Sequence, residues 1–189
     1  MELKYEYLIN GNTVLFYGKL NENGEMYTVA VEGEEMFMVA MSPIQLIDRS
    51  LIRYGSSFKG ALKSSSMLLG ENKKMYPIKM DASLDIWLFP SQSYKKDNCV
   101  WFALNHVKNT QALGQKFTLV YLSYGHQFEI AQRESSFRNK RQTAKDLKDM
   151  INQNTQNSWN YIDQPKKGIM IIEKKGGYKC SSLSKKNNR

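Results

Sequence analysis

Three turn signals break the first 41 residues into pieces too short for helices. They are Asn10-Gly11, Asn21-Glu22-Asn23-Gly24 and Gly33. Asn-Gly is a strong hairpin pair, because both central positions of a type I′ turn need positive φ. Between the turns lie Leu3 to Ile9, Thr13 to Lys19, Glu25 to Glu32 and Glu35 to Met41, all short and rich in β-branched or aromatic residues. A meander of three or four strands is predicted over 1–41. Residues 1–40 carry seven acidic and two basic side chains, so this part presents an acidic face.

The pattern changes at Ser42. Ser42-Pro43-Ile44-Gln45 combines an N-cap hydroxyl, a proline at the first helical position and a glutamine placed for a capping box. Ile44, Ile47, Leu51 and Tyr54 then fall on one stripe, and Gln45, Arg49 and Arg53 on another face. A short helix near 43–54 is predicted, with Gly55 as its C′ residue. Ala61 to Leu69 is ambiguous; Gly60 and the run Ser64 to Ser66 make a second helix poor.

Leu84 to Phe89 and Cys99 to His106 carry apolar residues on both alternating faces, as central strands buried on two sides would. Ser91 to Asn98 is a polar loop between them, and Trp87 and Trp101 are assigned to the core. Phe117 to Ser123 and Gln127 to Ile130 read as two further strands. A C-terminal helix is predicted near 135–151, with Leu147, Met150 and Ile151 as core first and dimer interface second. Together these elements make an α+β fold with a β-rich body of short, mostly antiparallel strands. One domain is expected over 1–175, with an acidic meander (1–41) and a basic central block (42–107). A disordered basic tail is expected over 176–189.

The longest apolar runs are too short to cross a bilayer. The N-terminus has no basic stretch followed by an apolar one, so no signal peptide is expected. Two cysteines, Cys99 and Cys180, make no disulfide framework, and a reduced, cytoplasmic location is expected. Cys99, Cys180, His106 and His126 are not spaced as ligands, so no metal site and no cofactor is expected. No nucleophile elbow, phosphate-binding glycine loop or dinucleotide fingerprint occurs.

Charge is the informative signal. The 189 residues carry a net +9; residues 41–80 contribute +5 and residues 131–189 contribute +9. Two basic segments and an acidic head give a polarised field that captures polyanions. Nucleic acid is the expected partner, and an anionic membrane surface the alternative. The candidate contacts are Arg49 and Arg53 on the predicted helix, Ser56 and Ser57 in the turn, then Lys59 and Lys63, with Lys73 and Lys74 secondary. Cations on one face with small hydroxyl donors beside them suit phosphate contact. Arginine entering a narrow minor groove reads the negative potential of A·T tracts. Two other classes compete. Asp48 with Glu71-Asn72-Lys73 has the loose form of a metal-dependent nuclease. A protein-interaction module with a basic surface is the other.

Ser42-Pro43-Ile44-Gln45-Leu46-Ile47-Asp48-Arg49-Ser50 and Tyr54-Gly55-Ser56-Ser57-Phe58 with Gly60 resemble the ComK family of competence transcription factors. So do Pro77 with Asp81, Leu88-Phe89-Pro90, and Trp101 with His106-Val107. The resemblance covers roughly 41–107. It implies a non-enzymatic activator that binds double-stranded DNA at boxes made of A- and T-tracts, through the minor groove. It further implies dimers acting in pairs, contact with RNA polymerase, and proteolytic control by the adaptor MecA with ClpC/ClpP. Some family members carry Phe-Met-Leu-Tyr-Pro as the adaptor motif. Gly168-Ile169-Met170-Ile171-Ile172 stands in its place here and keeps only the apolar character and a methionine.

Overall fold

The computed structural model describes residues 1–158, 168–174 and 177–183. The chain divides into one unit over Met1–Asn152 and a second over Gln153–Arg189.

The first unit is built on a seven-stranded sheet. Its strands are β1 (Leu3–Lys4), β2 (Thr13–Leu20), β3 (Met26–Glu32), β4 (Glu35–Val39), β5 (Ile78–Asp81), β6 (Ile86–Pro90) and β7 (Val100–Ala103). They run in the order β1-β4-β3-β2-β7-β6-β5. All neighbours are antiparallel except β1 and β4, which are parallel. A three-stranded antiparallel sheet follows, from β8 (Val107–Leu113), β9 (Phe117–Leu122) and β10 (Gln127–Ile130). The helices are α1 (Pro43–Arg53), α2 (Phe58–Leu69) and α3 (Glu134–Ser158). The second unit contains the antiparallel pair β11 (Gly168–Lys174) and β12 (Gly177–Leu183).

Strand alternation divides the core in two. Phe16, Leu88 and Trp101 point to one face, where Leu46, Ile47 and Leu51 of α1 and Phe58 and Ala61 of α2 cover them. Their neighbours Leu15, Trp87, Phe89 and Phe102 point to the other face, against Val120 and Leu122 of β9 and Phe137, Ala144 and Leu147 of α3. Every residue of β6 and β7 is buried. That is the two-sided burial expected from their apolar runs, and both tryptophans are core residues. Leu147 is fully buried, whereas Met150 remains exposed.

Two differences from the sequence reading have physical causes. Asn10-Gly11 does not close a hairpin: Gly11 has no positive φ, and β1 pairs with β4 instead. The backbone of Ile9 is claimed by α1. Ser50 Oγ accepts its N–H at 3.0 Å, and the Tyr54 hydroxyl donates to its carbonyl at 2.8 Å. With both groups occupied, the segment before β2 cannot pair with it. Second, the ambiguous stretch is a full helix, α2. In the second unit β11 and β12 pair with each other. The expected tail over 176–189 falls partly on β12; residues 184–189 lie outside the described ones.

Asp85 ties three parts of the fold together. It sits at φ 56, a region that aspartate tolerates better than most residues. Its carboxylate accepts from Trp87 Nε1 at 2.7 Å, Asn105 Nδ2 at 2.8 Å and Lys148 Nζ of α3 at 2.7 Å. Burial works against its charge, but the hydrogen bonds from Lys148, Asn105 and Trp87 outweigh it and hold the carboxyl below the usual aspartate range. A depressed folded-state pKa contributes stability above the ordinary aspartate value and loses it as pH falls through the folded value. Asp85→Ala is expected to cost about 1–2 kcal/mol at neutral pH, discounted because the side chain is nearly half exposed. Thermal unfolding of both proteins from pH 7 to 3 checks this: the gap in Tm closes towards acid. A gap independent of pH contradicts it.

Candidate nucleic-acid interface

The segment from Ser42 to Lys63 is organised by caps. Ser42 Oγ accepts from the Gln45 N–H, and Gln45 Oε1 accepts from the Ser42 N–H at 2.9 Å, which completes the predicted capping box. α1 ends at Gly55, whose φ of 75° turns the chain into Ser56 and Ser57. Ser57 caps α2 by accepting from the Gly60 N–H at 3.2 Å. Asp48 Oδ1 accepts from the Phe58 N–H at 2.7 Å. Two caps at one helix start, with Phe58 and Ala61 buried beneath, offset the poor propensity of glycine and serine in α2. Gly60 is itself part of the cap: a Cβ there would lie 3.1 Å from Ser57 Oγ.

The Asp48-Arg49-Ser50 run is therefore largely structural. Asp48 joins α1 to α2. Ser50, fully buried, donates to the Leu46 carbonyl at 2.7 Å and holds Ile9. Arg49 pairs with Glu6 at 2.9 Å across an exposed surface. Of the residues in the nuclease alternative, Asp48 is occupied at a helix cap, and Glu71 is exposed in the turn after α2. Among the described residues no three metal-ligating side chains are grouped. Cys99 is buried, with its Sγ donating to the Gln92 carbonyl, and burial pushes its thiol up. His106 and His126 are each bonded through Nε2 to a backbone carbonyl, of Gly11 and Gly33 respectively.

The eight predicted contacts form three groups, not one patch. A residue advances about 100° around a helix, so Arg49 and Arg53 share a flank of α1 while Asp48 lies on the opposite flank, towards α2. Arg49 and Arg53 line a groove of about 890 Å³ with Glu6, Asn10, Glu32 and Ile52. The second group is Ser56, Ser57, Lys59 and Lys63, all exposed, around the first two turns of α2. The third is Lys73 and Lys74, beyond the far end of α2, about 18 Å of helix away. They line a smaller cavity of about 240 Å³ with Phe89 of β6 and Asn139, Lys140 and Thr143 of α3.

Electrostatics distinguish the groups. Arg49 and Arg53 share their groove with Glu6 and Glu32 of the acidic N-terminal segment. The α2 group has a carboxylate, Asp48, only at the helix start; Lys59 and Lys63 are without an ion pair among the described residues. Sequence reasoning could not see that α3 supplies a side of the Lys73–Lys74 cavity. Nor could it see that β8 brings Lys108 to α3, because Val107–Leu113 lacks an alternating apolar pattern.

No described helix is long and apolar enough to cross a membrane. The fold is thus a mixed β-sheet carrying a capped helix pair with exposed cations. Comparison with known proteins supplies the family: residues 4–156 match the family described as "ComK protein", and the chain belongs to it. A curated relative, the "Competence transcription factor" of Bacillus subtilis (strain 168), is 32% identical over 133 residues, covering 70% of this chain and 68% of the relative. No solved structure matches the chain. The run Gly168 to Ile172 lies in β11 and is paired along its length with β12.

Proposed function

We propose that this protein is a DNA-binding activator of competence genes, those for DNA uptake and recombination. In this reading it acts by binding and not by catalysis. The observation that carries it is membership of the ComK family together with the relative named a competence transcription factor. The geometry is compatible with that role. α2 buries Phe58, Ala61 and Ser65 and turns Lys59 and Lys63 outward, so cations rather than a bare recognition helix are on offer. Such a surface suits the phosphate backbone and an A·T-rich minor groove better than reading of base edges in the major groove.

Within the candidate set the groups take different roles. Lys59 and Lys63 contact phosphates, with Ser56 and Ser57 as hydroxyl donors beside them. Arg53 is the arginine free to enter a groove. Arg49 must first leave Glu6; an exposed pair of this kind is worth only about 0–1 kcal/mol, so a phosphate can displace it. Lys73 and Lys74 extend the contact.

Lys59→Ala/Lys63→Ala tests this. Both side chains are exposed, so the fold is kept. Each lost phosphate contact lowers the slope of log affinity against log salt by about one. The double variant is expected to bind all duplexes more weakly, with a slope shallower by about two. Unchanged affinity and slope in the folded variant would remove this part of α2 from the interface.

A further inference from the structure

The face of the main sheet that carries α3 holds another collection of cations. Arg138, Arg141, Lys145 and Lys148 recur at three- and four-residue intervals, so they descend one flank of α3. Lys108 of β8 lies beside them. Lys108, Arg141, Lys145 and Lys148 line a cavity of about 350 Å³ together with Asn105 and Asp149.

These charges are not balanced by the fold. Lys148 is paired with Asp85, and Asp149 shares the cavity without an ion pair. Among the described residues, Lys108, Arg138, Arg141 and Lys145 have no carboxylate partner. Arg141 donates to the Val107 carbonyl, which holds its guanidinium half-buried; its Nε is buried without a partner. Burial, and then the neighbouring charge of Arg138, both disfavour its protonated form. A desolvated guanidinium without an ion-pair partner is unfavourable, and an external anion relieves it.

We infer that this α3–β8 face is a second contact surface for the phosphate backbone of duplex DNA, separate from the α1–α2 surface. The inference rests on the DNA-binding reading above. The two surfaces cover opposite faces of one sheet, since α1 and α2 pack on Phe16 and Trp101 while α3 packs on Phe89 and Phe102. Two features favour DNA over an acidic protein. The apolar residues lining the cavity, Leu104 and Val107, are buried, so it offers no anchor of the kind protein interfaces use. Arg138 to Lys148 spans about 15 Å of helix, against a rise of about 3.4 Å per base pair, so the stripe can follow several phosphates of one strand.

The test is Arg138→Ala/Lys145→Ala, two exposed residues with no bond to the core, compared with wild type and Lys59→Ala/Lys63→Ala. Binding is read by fluorescence anisotropy over a salt series, on one A·T-rich and one G·C-rich duplex; thermal unfolding confirms the fold. The expected result is weaker binding by a similar factor on both duplexes, with a salt slope shallower by about two. Unchanged affinity and slope, while the α2 variant is weakened, overturns the α3–β8 surface and leaves the DNA-binding reading standing. Weaker binding with an unchanged slope also overturns it, since no phosphate contact was lost. Wild-type protein that binds neither duplex overturns both.

Discussion

Replacing Trp101 with alanine is expected to cost about 3–5 kcal/mol and to disable DNA binding together with stability. Trp101 is 1% exposed, on β7 in the middle of the seven-stranded sheet. Its ring stacks on Phe16 of β2 at 6.4 Å and meets Phe58 of α2 edge-on at 6.2 Å. Phe58 is also the residue whose N–H Asp48 caps. Removing the indole therefore leaves a cavity under the first turn of α2, where Lys59, Ser57 and the α1–α2 turn are positioned. A protein of this size has only about 5–15 kcal/mol of net stability, so the loss is a large share of it. Equilibrium urea unfolding measures it. Trp101→Phe, which keeps an aromatic ring, should lose less than the alanine variant and retain DNA binding. A Trp101→Ala cost below about 1 kcal/mol would show that α2 does not depend on this contact.

Local signals were readable in the sequence, and long-range ones were not. The α1 caps involve neighbours three residues apart, so Ser42, Pro43 and Gln45 announce them directly. Burial of β6 and β7 on both sides follows from apolar residues at successive positions, since alternating side chains reach opposite faces. The hairpin expected at Asn10-Gly11 does not form because the competitor for Ile9 is Ser50, 41 residues away. α2 was undervalued for the same reason: its first N–H is capped by Asp48 from another helix.

The candidate site shows the same division. Clustered charge in 41–80 is visible in composition, but its partition is not. Arg49 and Asp48 are adjacent in sequence and point to opposite flanks of α1, one towards Glu6 and the other towards α2. The α3 stripe falls within the basic segment 131–189 and on the helix predicted near 135–151. Lys108, which lines the same cavity, sits on a strand with no apolar alternation to mark it.

The central claim is that the chain selects A·T-rich duplex DNA through minor-groove and backbone contacts. Sequence-selective proteins bind their sites at least about 10³-fold more tightly than unrelated duplex, or about 4 kcal/mol. Groove and phosphate contact through cations also requires steep salt dependence. The most direct measurement is fluorescence-anisotropy binding of the wild-type chain to two duplexes of equal length, across a salt series. One carries phased A- and T-tract boxes and the other is G·C-rich. The account predicts binding to the first that is tighter by about 10³ and weakens steeply with salt. Equal and weak binding to both would contradict it and leave the basic surfaces to an acidic protein partner.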